Sequence, residues 1–201
     1  MSLNFASNNS LSAITTLPAS ISGGGMTLIS EQTASSSATI DFTSGIDSTY
    51  DSYVFKFINI HPSTDNALFQ FNLSTDNGSN YNVTKTTTFF QYYHLESDAF
   101  AGGGYITSQD LAQSTAYQTL LNGVGADNDQ CCVGTLQLFN PSSTTFVKHF
   151  IARSNRNSSD DATLDEFVAG YGNTTSAING VQFKMSSGNI DSGVIKLYGI
   201  S

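Results

Sequence analysis

The chain has 201 residues, enough for one domain or for a domain with an appended arm. Charged residues make up only 11% of it, and seven basic residues against sixteen acidic ones leave a formal net charge of −9. That balance excludes the basic footprint of a nucleic-acid binder, and no apolar run reaches the roughly 18 residues that cross a bilayer as a helix. Charge is replaced by 29 Ser, 22 Thr and 17 Asn, and bulk by 14 Phe and 9 Tyr. Short polar side chains compete with the helix for backbone hydrogen bonds, and aromatic residues favour the pleated sheet. An all-β protein is expected.

In chain order, residues 1–25 read as an extended N-terminal arm. It is polar, with Leu3, Phe5, Leu11, Ile14, Leu17 and Ile21 spaced along it and Gly23-Gly24-Gly25 as a joint. Those six residues are the expected anchors on the body or on a neighbouring subunit. Met1-Ser2-Leu3-Asn4-Phe5 has neither the basic start nor the continuous apolar stretch of a secretory leader. A soluble protein made in a reducing cytoplasm is expected.

Residues 26–201 form the body. Short apolar runs between turn clusters predict strands over Met26–Gln32, Thr39–Phe42, Ser52–Ile60, Ala67–Leu73 and Thr86–Tyr93. Further strands are predicted over Gly134–Phe139, Thr145–Arg153, Phe167–Tyr171, Gly180–Met185 and Val194–Tyr198. Alternation is clearest in Phe69–Leu73 and Val181–Met185, each with one face for the core and one for water. Tyr53–Ile58 is apolar on nearly both faces, which suits a central strand or a face that meets a partner. Asp76-Asn77-Gly78 predicts a hairpin. Gly102-Gly103-Gly104 reads as a flexible loop tip. One short helix is predicted over Asp110–Leu121, because Ala112, Ala116 and Leu120 share a helical face and Gly123 follows.

An internal echo adds topology. His61-Pro62-Ser63-Thr64 and, 79 residues later, Asn140-Pro141-Ser142-Ser143 each stand between two apolar runs. Two similar proline hairpins suit the paired Greek keys of a jelly roll, with another β-sandwich as the alternative.

Little of the chain carries chemistry. His61, His94 and His149 are isolated in separate segments, and no zinc-ligand spacing occurs. Adjacent Cys131 and Cys132 read as small apolar residues at a strand edge. Candidate acid pairs such as Asp127 with Asp129, or Asp160-Asp161 with Asp165-Glu166, lie in polar loop sequence and read as turn caps rather than a hydrolytic pair. Asp127-Asn128-Asp129 has the alternating oxygen ligands of a calcium loop but not the glycine and glutamate that complete one. No catalytic residue, cofactor or metal is expected. Tyr92-Tyr93 is the densest aromatic pair, read as core or interface before glycan contact.

The segments Tyr53–Pro62, Leu138–Lys148 and Ser187–Gly199 resemble strings in virion proteins of tailed phages, especially phages of aquatic bacteria. The resemblance covers roughly residues 35–201 and leaves the arm outside it. It implies a non-enzymatic jelly-roll decoration (cement) protein on the outer surface of the head, made in the host cytoplasm. The expected partners are the major capsid protein and itself, as a homotrimer, with neither nucleic acid nor membrane. A tail fibre or tailspike domain that binds a receptor or glycan is the alternative reading.

Overall fold

A computed structural model describes residues 25–201. The body is all-β. Its strands are β1 (Thr27–Ser37), β2 (Ile40–Phe42), β3 (Ser52–Pro62), β4 (Ala67–Ser74), β5 (Lys85–Leu95) and β6 (Ala101–Tyr105). They are followed by β7 (Gln118–Val124), β8 (Cys132–Phe139), β9 (Lys148–Ser158), β10 (Ala162–Gly172), β11 (Gly180–Met185) and β12 (Ile190–Ile200).

The strands form two antiparallel sheets, ordered β1-β12-β3-β8-β9-β10-β5-β6 and β2-β11-β4-β7. The chain behaves as a ribbon folded back on itself: β1 pairs with β12, β2 with β11, β3 with β8 and β4 with β7. Successive rungs of that ribbon fall alternately in the two sheets, which is the winding of a jelly roll. The hairpin β9–β10 and the pair β5–β6 are insertions into this roll. Both add to the β8 side of the larger sheet, which therefore overhangs the smaller one.

The core lies between the sheets and is mainly aromatic. Phe183 is fully buried, with its ring centroid 5.2–6.4 Å from those of Phe42, Phe55, Phe57, Phe69 and Phe71. Most of these pairs meet edge to face, the arrangement that the ring quadrupole favours. Cys132 is buried at the start of β8, with its thiol pKa pushed up by burial, and both cysteines are free.

Ten of the strands fall where the apolar runs put them, and four expectations are corrected. Asp110–Leu121 is not a helix. Its backbone bonds go to β5 instead: Leu111 O accepts from Thr87 N–H at 2.9 Å and Ser114 bridges Lys85. A 12-residue segment that carries Asp110, Ser114, Thr115 and Thr119 is a marginal helix, and these tertiary bonds outcompete it. Gly102-Gly103-Gly104 is the middle of strand β6, not a loop tip, and is held in register by β5. The turn at Asp76-Asn77-Gly78 exists, with Asn77 and Gly78 at positive φ, but β4 and β5 lie in different sheets, so it makes no hairpin. Of the two proline turns, Asn140–Ser143 closes the hairpin β8–β9, whereas Pro62–Thr64 carries the chain from one sheet to the other.

Candidate functional site on the large sheet

The overhang gives the larger sheet two exposed surfaces with different chemistry. Side chains alternate across the pleat, so neighbours in β5, β9 and β10 face opposite ways. Tyr92 points outward and is 53% exposed, while Tyr93 points inward, so the adjacent tyrosines serve different surfaces. Asp165 and Glu166 separate in the same manner. Asp165 pairs outside with Arg153 at 2.8 Å, and Glu166 is buried inside.

On the outer surface, one cross-strand row runs across all eight strands. It reads Tyr105, Phe90, Phe167, Arg153, Thr135, Lys56, Lys196, Glu31 from the β6 edge to the β1 edge. The β6 end is aromatic: Phe90 and Tyr105 meet edge to face at 5.0 Å, and Tyr92 and Ile151 are exposed beside the row. Arg153 lies 5.0 Å from the Phe167 ring, bridging the aromatic end to the basic one. Lys196 is paired with Glu31, and Lys56 lies 5.2 Å over the Tyr198 ring.

The placement of the basic residues makes this row distinctive. Of the seven in the chain, Lys85, Lys148 and Arg156 are buried. Arg153, Lys56 and Lys196, three of the remaining four, stand in the row. The outer surface of the large sheet thus gathers aromatic side chains and most of the accessible cations, two of them paired with Asp165 and Glu31.

The inner surface of the overhang forms a cleft of about 410 Å³, bounded by Tyr93, Gln91, Asn122, Asn66, Asp160 and Arg156. Tyr93 stacks on the exposed ring of Phe100 at 5.1 Å, and the Asn122 amide donates to Gln91 at 3.3 Å. Below the cleft, Arg156 pairs with Glu166 at 3.3 Å and donates to the Gly123 carbonyl. The Asn122 N–H lies 3.1 Å from both Glu166 oxygens. Burial pushes the Glu166 carboxyl up to about 7, against the pull of Arg156 and the Asn122 N–H, which favour its ionised form. The pair ties β7, the rim of the smaller sheet, to β9 and β10. Glu166 lies beneath the cleft rather than in it, so it serves packing rather than proton transfer to a bound molecule.

At the other end of these strands, Lys85 and Lys148 flank Gly172 in one row and are both fully buried. Their ammonium groups reach oxygens rather than acids: Lys85 donates to Asn72 Oδ1 and Val83 O, and Lys148 to Phe146 O and Thr174 O. Burial lowers both, Lys85 to about 7.

The other residues singled out from the sequence are dispersed. His61 contacts the Asp127 carbonyl at 3.2 Å, His94 contacts Asp98 at 3.0 Å, and His149 packs on Tyr171. Asp127 and Asp129 occupy the β7–β8 loop, where the Asp127 N–H is capped by Gln130. Among the described residues, no three His, Cys, Asp or Glu side chains converge to hold a metal. Leu3, Phe5, Leu11, Ile14, Leu17 and Ile21 lie outside the described residues.

The outer row was not foreseen, because it depends on the pairing order of all eight strands. Its signal in the sequence was the exposed half of each alternating strand: Phe90 and Tyr92 in one, Ile151 and Arg153 in another. In comparisons with protein-family models, curated proteins and solved structures, nothing matches this chain.

Proposed function

We propose that this protein is a decoration (cement) protein on the outer surface of a tailed-phage head, where it bridges subunits of the major capsid protein. The observation that carries the reading is the outer row of the large sheet. A flat surface with Tyr105, Phe90, Phe167, Tyr92 and Ile151 exposed together is costly in water and rewards a partner that covers it. Lys56 and the Arg153–Asp165 and Lys196–Glu31 pairs beside it supply charged and polar groups that a partner must match around the apolar patch. The resemblance of the three segments to phage virion strings supports the same reading. Burial of this face across a subunit boundary, with Leu3, Phe5, Leu11, Ile14, Leu17 and Ile21 of the arm as further anchors, would hold neighbouring subunits together.

Quantitative mass spectrometry of purified particles tests this reading. Hundreds of copies per particle are expected, and heads lacking the protein should rupture at lower temperature or weaker osmotic shock. Heads that are equally stable without it defeat the cement role.

A second reading, a receptor- or glycan-binding domain of a tail fibre or spike, is favoured by the inner cleft. There a stacked aromatic pair lies beside amide and carboxylate side chains, a combination that suits a sugar ring and its hydroxyls. This reading expects a few dozen copies at most, and a glycan array signal that Tyr93→Ala abolishes. Hundreds of copies with a blank array would dismiss it.

A further inference from the structure

The β6 edge of the large sheet offers a complete pairing surface that nothing among the described residues occupies. We infer that it pairs with the β6 edge of a second copy, antiparallel across a two-fold axis centred on Gly103, joining two large sheets into one.

Backbone parity fixes which groups of β6 face outward. Leu95 N–H donates to Phe100 O at 3.0 Å and Ile106 N–H to Phe89 O at 2.9 Å, so the even-numbered residues of this segment face β5. The N–H and C=O groups of Ala101, Gly103 and Tyr105 therefore point away from the sheet. None of these groups bonds to any described residue. After β6 the chain turns back, and Leu111 and Ser114 continue along β5 rather than over β6. Among the described residues the edge is left open.

Apart from its length of five residues, this strand lacks the usual guards of an exposed edge. Ala101–Tyr105 contains no proline, no lysine, no inward charge and no bulge. The nearest acids, Asp98 and Asp110, sit in the flanking turns and are engaged by His94 and by the Tyr105 hydroxyl.

Two-fold pairing at Gly103 is self-complementary in bonds and in bulk. Gly103 opposes its own copy and Ala101 opposes Tyr105, each pair exchanging both of its backbone bonds. On the other face Gly102 opposes Gly104. Tyr105, the one large side chain of the strand, thus meets Ala101 across the axis, and Phe100 faces Ile106 just beyond the strand ends. The aromatic end of the outer row also gains a neighbour, because Tyr105, Phe90 and Tyr92 of both copies then share one continuous surface. A two-fold dimer is the consequence, in place of the homotrimer expected from the sequence.

The test uses the full chain. Light scattering from about 1 to about 100 µM should show a mass rising to twice the 21.4 kDa of one chain. Amide exchange at Ala101, Gly103 and Tyr105 should slow over the same range, while the β5-facing amides of Gly102 and Gly104 stay unchanged. Ala101→Pro removes an outward donor at the first residue of the strand, where proline is tolerated, so it should fold normally and dimerise about tenfold or more weakly. A monomer throughout, a trimer, exchange at these three amides that ignores concentration, or undiminished dimerisation of a folded Ala101→Pro each overturns the inference. If Ala101→Pro misfolds by circular dichroism, Tyr105→Pro removes the other paired donor, and the exchange result decides alone.

Discussion

Phe183 is the point at which the two sheets are locked together, and its truncation measures how much of the stability resides there. The ring is fully buried on β11 of the smaller sheet and reaches Phe55 and Phe57 of the larger one at 5.3 and 5.2 Å. Within its own sheet it meets Phe69 at 5.8 Å, stacked, along with Phe42 and Phe71. Phe→Ala in a core costs about 3–5 kcal/mol, and a site ringed by rigid aromatics collapses poorly, which places Phe183→Ala near the top of that range. With domain stabilities of about 5–15 kcal/mol, this is a third or more of the total. At about 2–4 °C per kcal/mol for a body of this size, the melting temperature should fall by about 10–20 °C. Scanning calorimetry reads the change, with Phe146→Ala as the comparison. Phe146 is 68% exposed, and its removal should stay within about 0.5 kcal/mol. Equal shifts for the two variants, or a loss below about 5 °C for Phe183→Ala, would refute the view that the inter-sheet aromatic cluster carries the fold.

Other consequences follow from the buried charges and the outer row. Lys85 is lowered from 10.5 to about 7, so between those values the folded state holds fewer protons than the unfolded chain, and stability from this group rises with pH across that window. Lys85→Met should flatten the stability–pH curve between pH 7 and 10 by about 4–5 kcal/mol at most, and an unchanged curve refutes the burial argument. Arg156→Met alone strands the Glu166 carboxyl and should cost about 3–5 kcal/mol, whereas Arg156→Met with Glu166→Leu should recover most of that loss. Denaturant titration separates the two, and equal losses would show that the pair itself is strongly stabilising. Tyr92→Ser with Ile151→Ser should leave the melting temperature within a few degrees, yet, on the proposed decoration role, weaken rebinding to stripped heads about tenfold or more. Full rebinding would remove the outer row from the interface.

Legibility in the sequence followed side-chain alternation. Although Asn72 proves fully buried, strands such as β4 and β11 were readable because Phe69, Phe71 and Leu73, or Val181, Phe183 and Met185, alternate with polar Gln70 and Asn72, or Gln182 and Lys184. β6 was not, since three consecutive glycines carry no pattern, and its strand state comes entirely from pairing with β5. β7 was hidden for the opposite reason. Gln118, Thr119, Leu120, Leu121, Gly123 and Val124 are all buried, so no period of two survives, and Ala112, Ala116 and Leu120 mimicked a helical stripe by chance. The jelly roll was expected partly from two proline turns that prove to do different jobs; the winding itself rests on pairings between distant segments. The Arg156–Glu166 pair and the outer row were unreadable on the same ground, because they require the register of neighbouring strands. Apolar residues on the outward half of β5 and β9, and the two apolar faces of Tyr53–Ile58, are the signs of an interaction surface on the body that the sequence carries.

The winding of the ribbon also sets the order of events in synthesis. Thr27 partners Gly199, and β3 is flanked on one side by β12, so the first strands of the body wait for residues 190–200 before they can be enclosed. Loop-closure entropy must be met over nearly the whole chain before the roll gains its contacts, and topologies of this kind fold in milliseconds to seconds or slower. A growing chain therefore cannot present the eight-stranded platform. The strands that carry the aromatic end of the row and the β6 edge are complete by Gly172, so it is the Lys196–Glu31 end, and with it the finished eight-stranded sheet, that awaits the last strand.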